Sequence, residues 1–252
     1  MQHSPSTAVV LFSGGTDSSL TAIKIGERFE RVILLTLIRR GLKHQDFVVE
    51  KKEKLCRFFG DGEKYRNELI RTDKLFRFLL YERYFYNLRR HGMVCLAHCG
   101  VCKLSFYWRA LLYCLEHGIT TLADGAVNLA NVYPEQNEVM MLSRIRRLYS
   151  SFNIHYETPL FDEGERVQDQ LYDLRFFHTK NVKGTRADRQ IICEQQILYA
   201  MFLRHYLPKF EFEKFEKRVG EFFLEKIDRV EQMTRNYLAG GRKGKLASLV
   251  EN

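Results

Sequence analysis

The segment Ser13-Gly14-Gly15-Thr16-Asp17-Ser18-Ser19 constrains the fold of this chain more than any other. It lies between a short apolar run at 8–12 and a helical pattern at 19–29. A second run, 31–38, follows and is apolar almost throughout. Continuous apolar runs of this length suit strands buried on both faces, as in parallel sheets. Two such strands joined by a helix make a βαβ unit. The glycines then serve its tight first turn, and Asp17 or Ser18 is placed to N-cap the helix.

The alternation continues. Residues 47–59 read as a helix ended by a turn at Gly60 and Gly62. Residues 67–71 read as a third strand and 74–90 as one long aromatic-rich helix, in which core packing is the expected use of the rings. After a cysteine-rich turn at 95–102 come a helix at 104–116, stopped by Gly118, and a strand at 120–123. A last strand at 154–159 precedes a helix after Asp162. This order predicts an α/β fold, an open, doubly wound, mostly parallel, Rossmann-like sheet. From Arg189 the pattern is helical, with an apolar stripe through Phe215, Val219, Phe222, Phe223 and Ile227 that reads as a packing helix. Residues 1–188 are therefore expected to form the α/β domain, and 189–252 a helical C-terminal extension with a flexible basic tail at 240–245.

At 252 residues, 45% hydrophobic and 28% charged, the chain can bury a full core, which excludes disorder and a disulfide-stapled miniprotein. No apolar run approaches the ~20 residues that cross a bilayer, and the N-terminus lacks the layout of a signal peptide. Six cysteines without such a leader point to the reducing cytoplasm, where clustered thiols serve metals or redox chemistry. The 40 Lys and Arg exceed the 31 Asp and Glu, giving a net charge of +9. Such a surface attracts polyanions, nucleic acid above all. A homodimer stays open.

Backbone N–H groups beside two glycines can close on an anion, and a helix N-terminus adds donors and partial positive charge. Ser13, Ser18 and Ser19 add hydroxyls, and Asp17 beside a phosphate calls for a bridging Mg2+. The segment matches neither G-x-x-x-x-G-K-[ST] nor G-x-G-x-x-G. It resembles the S-G-G-x-D-S signature of the PP-loop superfamily, the N-type ATP pyrophosphatases or adenine nucleotide alpha hydrolase-like proteins. The resemblance implies that ATP binds here, that a carbonyl or carboxylate oxygen is adenylated, and that pyrophosphate leaves. It implies that Ser13, Gly14, Gly15 and Ser18 hold the phosphates, that Asp17 supports Mg2+, and that Asp17 and Ser18 are the catalytic pair. The adenine would meet the backbone near Leu37, and Gly125 would belong to the same site.

Cys95, Cys99 and Cys102 fall within eight residues and can converge on one metal. His98 beside Cys99 reads as a surface histidine. The run Cys99-x-x-Cys102, then Arg109, Leu112-Tyr113, Glu116-x-Gly118 and Ala123-x-Gly125, resembles the iron–sulfur-dependent tRNA 2-thiolation enzymes. That resemblance implies a [4Fe–4S] cluster on three cysteines and transfer of sulfur to an adenylated base of tRNA. The third ligand is Cys95 or Cys193, and the local triad with Cys95 is preferred, since the family's downstream position is Lys183 here. The family's histidines and acidic pair after the A-x-G motif are replaced by residues 126–131, for which Asp124 partly compensates. Two readings compete. His98-Cys99-Gly100-Val101-Cys102 also resembles the zinc site of deazaguanine-nitrile synthase-like ligases, with Ser105 in place of a further cysteine, so the metal could be Zn2+. The altered segment also fits a nucleotide- or RNA-binding module without catalysis. The sulfur donor has no mark in the sequence. Candidate RNA contacts are Arg39, Arg40 and Lys43, and Arg144, Arg146 and Arg147. His155, His178 and His205 stand alone and are not expected to be catalytic, while Arg186, Asp188 and Arg189 could line the phosphate side or cap a helix.

Overall fold

The computed structural model describes residues 6–43, 47–96, 98–128, 133–163, 166–177, 191–193, 201, 203–205 and 211–251. Among these the strands are β1 (Thr7–Leu11), β2 (Arg31–Ile38), β3 (Leu42–Lys43), β4 (Tyr65–Arg71), β5 (Thr121–Asp124), β6 (His155–Glu157) and β7 (Ile192–Cys193). The helices are α1 (Thr16–Gly26), α2 (Phe47–Phe59), α3 (Asp73–Tyr81), α4 (Tyr84–His91), α5 (His98–His117), α6 (Ser143–Ser150), α7 (Val167–Asp173), α8 (Phe212–Ala239) and α9 (Lys245–Val250). Five strands form one parallel sheet in the order β4-β2-β1-β5-β6.

The apolar runs of β1 and β2 are buried because helices cover both faces. The pleat sends alternate residues to opposite sides. Val9, Leu11, Leu35 and Leu37 enter one core with α3, α5, α6 and α8. Ala8, Val10, Val32 and Leu34 enter the other with α1, α2 and α7. Trp108 in α5 donates its Nε1 hydrogen to Thr234 Oγ1 at 2.9 Å, which pins α8 to the sheet's helical cover. β1 leads through α1 to β2 on one face, and β5 leads through α6 to β6 on the other. The strand order thus reverses between β1 and β5. Open α/β sheets bind ligands at the carboxyl ends of such a pair.

Several sequence expectations change. α1 starts at Thr16 with Gly15 at its N-cap and no side-chain cap, so neither Asp17 nor Ser18 caps it. The expected helix at 74–90 is two helices, because Arg83 takes a left-handed conformation (φ 55°). Carbonyls at and just past the end of α3 are satisfied by buried Lys226 of α8, whose Nζ donates to Leu79 O at 2.6 Å and Glu82 O at 3.2 Å. α5 begins at His98, not Leu104, because Gly100 lies inside its first turn. There a Cβ would strike the Phe223 ring and come within 3.1 Å of Pro134 Cβ. Cys99 and Cys102 therefore stand on a helix, not a turn. The expected helical run from 189 is interrupted by β7, which pairs antiparallel with β3. The basic tail leads into α9, docked by buried Leu246 and by Lys245 over the Phe78 ring at 4.6 Å. His178, Lys183, Arg186, Asp188, Arg189 and the 188/189 boundary lie outside the described residues. Among the described residues, no helix is long and apolar enough to cross a membrane.

Candidate nucleotide and thiol site

The loop from Ser13 to Ser18 leaves β1 and enters α1 at the carboxyl edge of the sheet. Gly14 turns it at φ +78°, a conformation natural to glycine. Ser13 N donates to Ser18 Oγ at 3.4 Å and Gly15 N to Ser13 Oγ at 3.4 Å, while Ser18 Oγ donates to Gly15 O at 3.1 Å. Bonds of 3.4 Å are long, so a phosphate oxygen competes well for these groups. The uncapped start of α1 turns its partial positive charge to the same place. Gly125, just past β5, packs on this turn. A Cβ there would lie 2.9 Å from the Asp17 carbonyl carbon and 3.0 Å from Ser18 N.

A cavity of about 230 Å³ opens between these segments. Ser13, Gly15, Asp17, Ser18, Leu37 and Gly125 all line it, so six of the seven residues assigned to ATP by resemblance converge. Gly14 faces Lys51 and Val48 instead. One end is apolar, with Leu35, Leu37, Leu42, Phe106 and Ile191, and the other carries the loop. The volume is just under the roughly 300–1,000 Å³ common for ligand pockets, so a nucleotide base and sugar would fill it and leave a phosphate tail at its mouth. Asp17 and Asp124 are its carboxylates. Mg2+ is held by one or two carboxylates together with substrate phosphates, so the donor set fits.

Lys103 and Asp124 complete the polar end. Lys103 Nζ lies 3.0 Å from Asp124 Oδ2, which also accepts from Tyr107 OH at 2.7 Å and Tyr156 OH at 3.4 Å. Burial raises both phenols well above their ordinary range, with Asp124 reinforcing it, so they remain donors. Glu135 is half-buried, with its Oε2 enclosed and unpartnered, and desolvation pushes its carboxyl up against the opposing pull of its own main chain and Lys103. The sequence singles out Asp124 through the A-x-G motif but carries no sign of Lys103.

The thiols meet at Arg39. Its Nε donates to Cys102 Sγ at 2.7 Å and its Nη2 to Cys193 Sγ at 3.4 Å, and its guanidinium lies 4.5 Å from the Phe76 ring centre. Arg39 is 4% exposed, so it is not the rim contact for RNA that its position suggests. Burial pushes the Cys102 thiol up to about 11 and Cys99 beyond the ordinary thiol range, with Arg39 opposing both. Cys193 and Glu135 also act on Cys99 and Cys102. Cys95 stands apart: burial raises it, and the neighbouring charge that opposes this is Lys226. The structure therefore gathers Cys99, Cys102 and Cys193, and leaves the preferred Cys95 outside. It does not fit a metal as it stands. Among the described residues no group of three or more His, Cys, Asp or Glu is placed to hold one, and a guanidinium occupies the space between the thiols.

Burial lowers the His98 imidazole, and Arg39 adds to the shift. Ser105 is not a ligand: its hydroxyl donates to Cys102 O at 2.6 Å within α5. Arg144 bonds to Val139 O and Arg146 to Glu138 and Thr158, while Arg40, Lys43 and Arg147 are exposed. His155 and His205 are exposed as well.

No family model matches the chain, and no curated protein matches it. Many solved structures are similar to it. One is a predicted subunit of tRNA methyltransferase from Methanocaldococcus jannaschii, 22% identical over 66% of this chain and 75% of that one, with a TM-score of 0.41. Another is a 4-thiouridine synthetase–RNA complex with bound ATP, 16% identical over 90% of this chain, with a TM-score of 0.46. The chain spans 53% of the length of that synthetase.

Proposed function

We propose that the chain binds ATP in the cavity between β1 and β5 and uses it to adenylate a carbonyl oxygen, releasing pyrophosphate, for sulfur transfer to an RNA base. One observation carries this: Ser13, Gly15, Asp17 and Ser18 of the loop, Leu37 and Gly125, from three separate stretches of sequence, line a single half-apolar cavity at the strand-order reversal. The apolar end would take the adenine. Ser13, Gly15, Ser18 and the start of α1 would hold the phosphates, with Asp17 supporting Mg2+. Lys103 supplies positive charge where the α-phosphate is attacked. The acceptor oxygen attacks the α-phosphorus and pyrophosphate departs. A sulfur nucleophile then attacks the activated carbon, and AMP leaves with the oxygen.

For the sulfur step we assign Cys99, Cys102 and Cys193, with Arg39 holding two of them. The [4Fe–4S] cluster or Zn2+ implied by resemblance does not fit while Arg39 lies among them, and no step is drawn through it. The α5 helix joins the two halves, since Cys102 faces Arg39 and the adjacent Lys103 faces the phosphate loop.

Pyrophosphate and AMP are measured with ATP, with and without tRNA. RNA-stimulated release of both, abolished by Asp17→Ala with an unchanged melting temperature, is the expected result. ADP as the product overturns the reading, and ATP binding without turnover leaves only a nucleotide-binding module.

A further inference from the structure

The aromatic residues around α3 and α4 divide between core and surface. Phe76 is buried, but Tyr81 is 64%, Phe85 84% and Tyr86 44% exposed. Arginines flank Tyr86. Arg83, Arg89 and Arg90 are exposed, and the guanidinium carbons of Arg83 and Arg90 lie 5.9 and 5.8 Å from the Tyr86 ring centre. On α3, Lys74, Arg77 and Tyr81 are exposed, and their spacing of three and four residues sets them on one face. That face begins at a cleft of about 420 Å³ past the carboxyl ends of β2 and β4, lined by Arg40, Arg71, Lys74 and Arg77 together with Asp73 and Glu251. The nucleotide cavity opens on the same sheet edge.

We propose that this strip, from Arg40 and Arg71 along α3 to Tyr81, Phe85 and Tyr86, is a docking track for an unpaired segment of RNA. Its cations meet the phosphates, and its rings stack unpaired bases. Charge decides between occupants. The core of a protein–protein interface is depleted of charge, whereas here Arg83 and Arg90 stand beside Tyr86, and Arg77 and Arg89 lie one helical turn from Tyr81 and Phe85. A duplex hides its bases and would leave the rings unused. The inference deepens the proposed function, resting on it only for RNA as the acceptor.

The test uses the full chain without ATP. Binding of a tRNA transcript, an unpaired RNA oligonucleotide and a duplex of equal length is measured over a salt series, alongside the sedimentation coefficient of the protein. Tyr81→Ala with Phe85→Ala should weaken unpaired RNA by roughly thirtyfold, the lower end of base stacking on two rings, and leave the duplex and the salt slope unchanged. Arg71→Gln with Arg77→Gln should instead flatten the salt slope for unpaired RNA by roughly 1.4. Both pairs are exposed, so unfolding is checked by melting temperature alone, and RNA-free ATP turnover should be unchanged. Wild-type binding by the aromatic variant, equal loss for the duplex, no RNA binding by the wild type, or a dimer that the aromatic variant splits would each overturn the proposal. RNA binding through these rings without pyrophosphate release would sink the enzyme reading and leave this surface standing.

Discussion

Replacing Gly125 by alanine adds one methyl group where the structure has no room for it. The new carbon would lie 2.9 Å from the Asp17 carbonyl carbon, 3.0 Å from Ser18 N and 3.1 Å from Asp17 O. Carbon contacts are ordinarily about 3.5–4.0 Å, so the two backbones must part by roughly half an ångström or more. Neither yields easily. Asp124, the preceding residue, is in register with Leu11 and bonded to Tyr107. Asp17 and Ser18 belong to the first turn of α1, whose Leu20 and Ile23 are fully buried. Overpacking of this kind costs roughly 1–3 kcal/mol. The same shift moves the donors aimed at the phosphates. Urea unfolding should show that loss, and ATP affinity of the folded variant should fall about tenfold or more, ~1.4 kcal/mol. Gly14→Ala is the contrast. Its Cβ meets nothing nearer than 3.7 Å, so only the left-handed φ is penalised, by about 1–2 kcal/mol. It should lose stability yet keep more ATP affinity than Gly125→Ala. A folded Gly125→Ala protein that binds ATP like the wild type would refute the close approach of β5 to the loop.

Lys103→Met leaves the buried Asp124 carboxylate without its cation. Because Lys103 is a quarter exposed, we expect a loss of roughly 1–3 kcal/mol in chemical denaturation, below the figure for a fully buried pair. The Lys24–Glu163 pair (2.6 Å) ties α1 to the turn before α7. Hydrogen bonds from Lys24 and Gln170 hold the Glu163 carboxyl below its usual range. A depressed folded-state value stabilises above the unfolded value and is lost as pH falls through the folded one. The difference in stability between wild type and Lys24→Met should therefore be small at neutral pH, under ~1 kcal/mol for so exposed a pair, and vanish in acid. A difference that grows on acidification would contradict this.

What the sequence reveals is what is local. β2 and α2 lie where the apolar runs place them, and the phosphate loop is a contiguous motif whose strand–turn–helix setting is written beside it. The break between α3 and α4 is illegible because neither Gly nor Pro marks Arg83, and the lysine that satisfies the end of α3 lies 147 residues away. The gathering of thiols around Arg39 is illegible for a similar reason. Proximity favours Cys95, but Cys193 reaches Arg39 through the two-residue pairing of β3 with β7, too short to leave a periodic trace. Arginine belongs on surfaces by default. Arg39 is buried because two thiols, the Phe76 ring and the Arg40 carbonyl receive it, and apart from that adjacent carbonyl these partners lie far away in sequence. Lys103 and Asp124, 21 residues apart, meet only once the sheet is built.

The most direct test is a crystal structure of the protein with ATP. The phosphates should lie against Ser13, Gly15, Ser18 and the start of α1, with the adenine among Leu35, Leu37 and Leu42. A nucleotide bound elsewhere, or turned with its base toward Asp17, would contradict this placement.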